Sequence, residues 1–263
     1  MSSLPHLVGM VHLQALPGSP GFEGSLDRIV ETAISDALAL TGAGFPALLV
    51  ENFGDVPFFA DRVPPVTIAA VTTAVNAISA TAPVPFGVNV LRNDGLAALG
   101  IAAATDAGFI RINVLTGVMY TDQGPIVGQA ANLLRERGVV APNVEIWADV
   151  MVKHATPPTG LDARQAAADT VERGLADAVI VSGSGTGAEP DIHEAVTVRA
   201  AIPRETRLVI GSGASAKNLS GLMDVADAVI VGSALKIDGD PNNRVDPARA
   251  EAFVKAASNH GLL

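Results

Sequence analysis

Cysteine is absent from the 263-residue chain, which rules out disulfides, thiolate metal sites, iron–sulfur clusters and a thiol nucleophile. Aromatic residues make up 4%, with one Trp and one Tyr, so the core has to come from small and branched aliphatic side chains. That composition suits helices packed closely on a parallel sheet. Positive charge is scarce too: 17 Lys and Arg stand against 27 Asp and Glu, a net charge of −10. With no basic stripe, nucleic acid is not an expected partner, because its affinity comes from Lys and Arg on phosphates. A small anion can still be held by local donors, since charges more than about 8 Å away are screened at physiological salt.

A long uninterrupted apolar run is also lacking. Residues 63–91 carry no charge, but Pro64, Pro65, Pro83 and Pro85 divide them into pieces too short to cross a bilayer, and no membrane insertion is expected. Met1-Ser-Ser-Leu-Pro-His6 shows no cationic region followed by an apolar one, so no export signal is read and a cytoplasmic location is expected.

What is present is a repeated strand-then-helix rhythm. Apolar strands are expected over residues 7–13, 46–52, 85–91, 109–115, 144–150, 178–183, 207–211 and 228–232. Between them lie helical patterns, the first capped by Ser25 and stopped by Gly42 and Gly44, with Ile29, Ala33, Ile34 and Leu38 as its apolar stripe. A second helix covers residues 66–80, and Asn93 or Asp94 caps a third. Ala176-Asp-Ala-Val-Ile-Val181 recurs letter for letter as Ala226-Asp-Ala-Val-Ile-Val231, in register with these units. Eight units in a chain near 250 residues predict one α/β domain over residues 1–263, a single (β/α)8 TIM barrel. The competing doubly wound open sheet would need an early Gly-x-Gly-x-x-Gly, which is missing.

In such barrels the ligand sits at the C-terminal ends of the strands. Reading those ends in order collects polar residues that a purely structural core would not need. Glu51, Arg111, Asp149, Lys153 and His154 are the catalytic candidates, and His12, Asn89, Asn113, Ser182 and Gly183 the first substrate-binding candidates. Period-two alternation turns Arg111 and Asn113, and likewise Glu145, Trp147 and Asp149, toward the pore. The structural alternative is an internal network in which Arg111 bridges Glu51, Glu145 or Asp149. The last two strands end in Gly211-Ser-Gly213 and Gly232-Ser233, where backbone can approach a phosphate and Ser212, Ser215 and Ser233 offer hydroxyls. Ser182 to Gly187 would form a third wall. Glu51, Asn89, Asn113 and Asp149 are hard oxygen ligands without a diagnostic metal spacing, so neither a metal nor a cofactor is expected.

Several stretches together resemble the BtpA/SgcQ family: Met10-Val-His-Leu-Gln-Ala-Leu-Pro-Gly18, Glu51-Asn-Phe-Gly-Asp-Val-Pro-Phe58, Gly87-Val-Asn-Val-Leu-Arg-Asn-Asp94 and Phe109-Ile-Arg-Ile-Asn-Val114. Thr121-Asp-Gln-Gly124, Ala148-Asp-Val-Met-Val-Lys-His-Ala155, Val181-Ser-Gly-Ser-Gly-Thr-Gly187, Gly211-Ser-Gly213 and the tail from Asp238 to Asp246 continue the likeness along nearly the whole chain. The resemblance implies a ribulose-phosphate-binding-like barrel with Glu51, Asn89, Arg111, Asn113, Asp149, Lys153 and His154 at the family's pocket positions. It leaves two functions open, because cyanobacterial members are associated with photosystem I accumulation and others lie among sugar-utilisation genes.

The sequence therefore supports an enzyme on a phosphorylated small molecule, a sugar phosphate or nucleotide derivative, using lyase, isomerase or glycosidic-cleavage chemistry. The alternative is a non-catalytic biogenesis factor for a membrane complex. In the enzyme, Lys153 is expected to stay charged, because Asp149 on the same strand opposes a fall in its pKa. Helix 66–80 turns Ile68, Val71, Val75 and Ile78 to the sheet and leaves Ala69, Thr72, Thr73, Asn76 and Ala77 uncharged on the other face. A homodimer through that face is expected. The aromatic loop 53–59 reads as a lid.

Overall fold

The computed structural model describes residues 6–183, 185 and 191–259. Eight parallel strands close into a barrel: β1 (Leu7–His12), β2 (Leu48–Glu51), β3 (Phe86–Asn89), β4 (Phe109–Ile112), β7 (Glu145–Val150), β9 (Ala178–Val181), β10 (Arg207–Ile210) and β11 (Ala228–Val231). The numbers β5 (Val118–Thr121), β6 (Gly124–Val127) and β8 (Ala155–Thr156) belong to a small antiparallel sheet outside the barrel.

Two cores follow from the alternation of β-strand side chains. The outward-facing residues, Leu48, Val50, Val88, Ile110, Ile146 and Val229 among them, pack beneath the helices. The inward-facing ones, including Met10, Leu49, Ile180 and Val209, fill the barrel around Phe109 and Trp147. Those two rings stack with centroids 4.1 Å apart. The stack needs Gly87, because a Cβ there would lie 2.3 Å from the Phe109 ring.

Helix α1 (Leu26–Ala43) has Ser25 as its cap, with Oγ accepting from the Arg28 amide at 3.3 Å, and ends at Gly44 in the left-handed region. Its buried stripe is not quite the expected one. Leu38 is 47% exposed, while Asp36 is buried beside Ala33, Ala37 and Leu40. Asp36 takes that place because it has partners there, described below. Helix α2 (Pro65–Thr81) buries Val71, Val75 and Ile78 and leaves Ala69, Thr73 and Asn76 exposed, with Ile68, Thr72 and Ala77 half-buried. Asp94 is the cap of α3 (Gly95–Thr105), accepting from the Ala97 amide at 2.9 Å, whereas Asn93 pairs with the Val114 backbone.

The chain after β4 leaves the expected rhythm. A hairpin, β5 and β6, comes before α4 (Ala130–Val140), and β8 adds to it from the loop after β7. Val114, Met119, Ile126 and Val152 form a separate small core there. The extra sheet thus braces the loop that carries Lys153.

Candidate active site

The floor of the site is built on Arg111. Its Nε donates to Asp149 Oδ2 at 2.9 Å and its Nη2 to Oδ1 at 2.8 Å. Asn113 Nδ2 donates to Oδ2 at 3.0 Å, and the Ser182 hydroxyl donates to Oδ1 at 3.4 Å. Asn89 Nδ2 donates to the Arg111 carbonyl at 2.8 Å. The internal network anticipated for Arg111 therefore forms with Asp149, and no ion pair of Arg111 with Glu51 or Glu145 occurs among the described residues. Burial works against the Arg111 charge, but the charge and hydrogen bonds of Asp149 outweigh it and hold the guanidinium pKa above its ordinary value. Both Asp149 oxygens are committed, which makes this carboxylate a positioning group for Arg111. The Oδ1 atoms of Asn89 and Asn113 are buried without a protein partner.

Above this floor opens a cavity of about 360 Å³. On one side it meets the loops after β10 and β11, Gly211 to Ser215 and Gly232 to Ala234; on the other, His12, Glu51, Arg111 and Lys153. The backbone amides of Gly213, Ala214, Ser233 and Ala234 donate to no described residue. Other amides are already used, Gly211 on the Val181 carbonyl, Gly183 on Ser212 Oγ and Ser215 on Asn218 Oδ1. Gly213 has φ +76 and so requires a glycine-like backbone. A Cβ on Gly232 would find only ordinary contacts, with His12 Cε1 at 3.5 Å, so this glycine keeps space in front of the imidazole. Helix dipoles contribute little to this end of the cavity. Only a five-residue helix, Leu219–Met223, follows β10, and a three-residue 3-10 turn follows β11.

Glu51 and Lys153 line the same cavity, and neither side chain has a hydrogen bond or ion pair with another described residue. Burial raises the Glu51 pKa above the ordinary carboxyl value, with Arg111 and Lys153 pulling it partly back. Burial also lowers the Lys153 pKa, followed by the charge of Arg111. Asp149 acts in the other direction, as expected, but with Arg111 on top of it the net shift is downward. His12 is neutral: burial, then Lys236, bring its pKa to about 3.

His154 stands apart. It is exposed, with φ +56, and does not line the cavity. Ser182 and Gly183 sit beneath the cavity wall, while residues 184 and 186–190 of the glycine-rich run lie outside the described residues. The aromatic loop is anchored at its base. Phe53 stacks on His12, the Gly54 amide donates to Leu13 O at 2.9 Å, and Asp55 accepts from the Leu16 amide at 2.8 Å.

Sequence reasoning missed two contributors. Arg92 is buried and donates from Nη2 to the Lys153 carbonyl at 2.7 Å, steadying that loop; its signal was an arginine in a charge-poor stretch just past a strand end. The other is the segment 236–246. Lys236, 1% exposed, pairs with Asp36 Oδ2 at 2.8 Å, and Arg244 and the Val245 amide bind Asp36 Oδ1 at 3.1 and 3.0 Å. This clip carries Gly239 to the cavity edge and the Pro241 carbonyl to His12. Among the described residues, no group of three or more His, Asp or Glu is placed to hold a metal ion.

Comparison with known sequences decides the family. The model of the BtpA family matches residues 4–259. The chain belongs to the BtpA family. An uncharacterized protein of Thermococcus kodakarensis is 47% identical over 253 residues, covering 95% of this chain and 94% of its own. The photosystem I biogenesis protein BtpA of Synechocystis is 44% identical over 250 residues, covering 95% and 87%. Among solved structures, this BtpA-family barrel resembles phosphoribosylanthranilate isomerase from Thermotoga maritima, with a TM-score of 0.60 at 14% identity, over 97% of this chain and all of that one. That likeness speaks for the fold. No helix among the described residues is long and apolar enough to cross a membrane.

Proposed function

We propose that the chain is an enzyme acting on a phosphorylated small molecule, a sugar phosphate or nucleotide derivative, through acid–base chemistry of the isomerase, lyase or glycosidic-cleavage kind. One observation carries the reading: a single cavity has four unclaimed amides at one end and Glu51 with Lys153 at the other. A phosphate at the amides would receive several charge-assisted hydrogen bonds, each worth about 1.5–3 kcal/mol. Glu51, its pKa raised, would donate or accept the proton, and Lys153 with Arg111 would stabilise developing negative charge. Asp149 would hold Arg111 in place. The name of the isomerase with the same fold, which refers to a phosphoribosyl compound, is consistent with this reading. Side-chain chemistry of this kind calls for no cofactor, and a cytoplasmic location belongs to the same reading, as does one barrel domain over the whole chain.

Ser233→Asp tests the phosphate end, because it sets a carboxylate beside the unclaimed amides without filling the core. Affinity for inorganic phosphate or ribose 5-phosphate, measured by titration calorimetry, should fall at least tenfold, about 1.4 kcal/mol. Unchanged affinity in the folded variant would move the anion elsewhere. The name of the Synechocystis relative supports a second reading, a biogenesis factor for a membrane complex. A library of sugar phosphates and nucleotides separates the two, since a ligand at 100 times its Kd adds about 2.7 kcal/mol of stability, and silence across the library favours the second. The uncharged outer face of α2 is the proposed homodimer surface, to be tested by light scattering.

A further inference from the structure

We propose that His12 is the proton acceptor of this site, taking a proton from the bound ligand at Nε2. The inference rests on the reading of the cavity as a phosphorylated-ligand site and adds proton transfer to a residue otherwise read as a binding group. Its basis is geometric. His12 Nδ1 lies 2.9 Å from the carbonyl oxygen of Pro241. A carbonyl can only accept, so Nδ1 bears the hydrogen and the lone pair is left on Nε2. The ring is stacked on Phe53, with centroids 4.3 Å apart and planes 16° apart, and a ring flip would lose the Pro241 bond. Nε2 looks toward Gly232, where a Cβ would stand 3.6 Å away. The space in front of the base is therefore cavity, next to the unclaimed amides of Ser233 and Ala234.

The charged groups around the ring come from four elements: Lys236 in the C-terminal segment, Lys153 after β7, Asp36 on α1, and Glu51 on β2, whose backbone is in register with His12. Burial and the two lysines favour neutral imidazole, and the Pro241 hydrogen bond and Asp36 oppose them without prevailing. Glu51 is shifted the other way and keeps its proton longer. Two groups in one cavity, one poised to accept and one to donate, form an acid–base pair. In the step they allow, Nε2 takes a proton from a hydroxyl-bearing carbon next to a ligand carbonyl. The C–H electron pair becomes a C=C bond, the carbonyl π pair moves to oxygen, and that oxygen takes the Glu51 proton. The ligand becomes an enediol of unchanged charge, and the protein holds imidazolium and carboxylate. The imidazolium then returns its proton to the former carbonyl carbon while the Glu51 carboxylate takes the proton of the other hydroxyl, whose oxygen becomes the new carbonyl; both groups are back in their resting state and the ligand is isomerised.

Acylation of the intact protein by diethyl pyrocarbonate, followed by peptide mass mapping, tests this without a known substrate. The His12 rate should hold steady from about pH 7.5 to about pH 5, where an ordinary imidazole would slow about 30-fold. Inorganic phosphate, at a concentration shown to saturate by calorimetry, should slow His12 acylation at least fivefold. A rate that falls with pH like an ordinary imidazole, no acylation at any pH, or full reactivity in phosphate-loaded protein would overturn the proposal. A nitrogen-15 spectrum with a proton on Nε2 at neutral pH would do the same. If calorimetry finds no phosphate binding, the phosphate reading fails, while the pH profile and the spectrum still decide the state of His12.

Discussion

Arg111 and Asp149 join as a fork, two bonds of 2.9 and 2.8 Å, with 3% of one side chain and none of the other exposed. Breaking a buried pair from one side leaves the other charge uncompensated, at a cost of about 3–5 kcal/mol. Asp149→Asn should lose stability on that scale in urea denaturation. A loss below about 1 kcal/mol would mean that water reaches the pair.

Glu51→Gln should have the opposite sign. Its raised pKa means that the folded state binds more protons than the unfolded chain above about pH 4.3. Stability therefore falls as pH rises from the ordinary value through the raised one. Glutamine removes that loss, so calorimetric Tm should rise near neutral pH and change little near pH 4, while turnover of any substrate found should fall. A lower Tm at neutral pH would show that the carboxylate is paired.

Lys153 should titrate below the ordinary lysine value of about 10.4. Reductive methylation with carbon-13 formaldehyde and NMR titration gives each midpoint. The unfolded chain binds more protons between the lowered value and about 10.4, so this residue adds stability as pH rises through that window. A midpoint at about 10.4 or above would remove it from the buried site.

Asp36→Asn should also cost about 3–5 kcal/mol, because it strands the buried Lys236 ammonium. Converting the pair together, with Asp36→Leu and Lys236→Met, should restore most of the loss in the same denaturation experiment. No recovery in the double variant would assign the cost to Arg244 and the Val245 amide instead.

The barrel was legible because its signals are local. Alternation in Phe109-Ile-Arg-Ile turned Arg111 to the pore, and the strand ends marked Glu51, Asp149 and Lys153 as neighbours. Leu115 shows the limit: the strand ends at Ile112, alternation stops, and Leu115 packs with the outer core. The hairpin of β5 and β6 lies inside one loop, its strands too short for a period to show, although its turn falls on the family motif Thr121-Asp-Gln-Gly124. Asp36 carries no local signal of burial, since nothing nearby in sequence announces a partner 200 residues later. Likewise a backbone carbonyl such as that of Pro241 has no side-chain signature, so the tautomer of His12 leaves no mark in the sequence.

The Asp36 clip also sets a schedule for the growing chain. Its lysine is 200 residues downstream, a wait of about 10–40 s at ordinary rates of synthesis. Until then α1 carries an acid on the side meant for the interior, and β1 has no β11 beside it. Premature burial of that helix is thereby discouraged, and the cavity is completed only after Lys236 has been made. A truncated chain ending before Lys236 should be held open by its own first helix and offer a ready target to proteases.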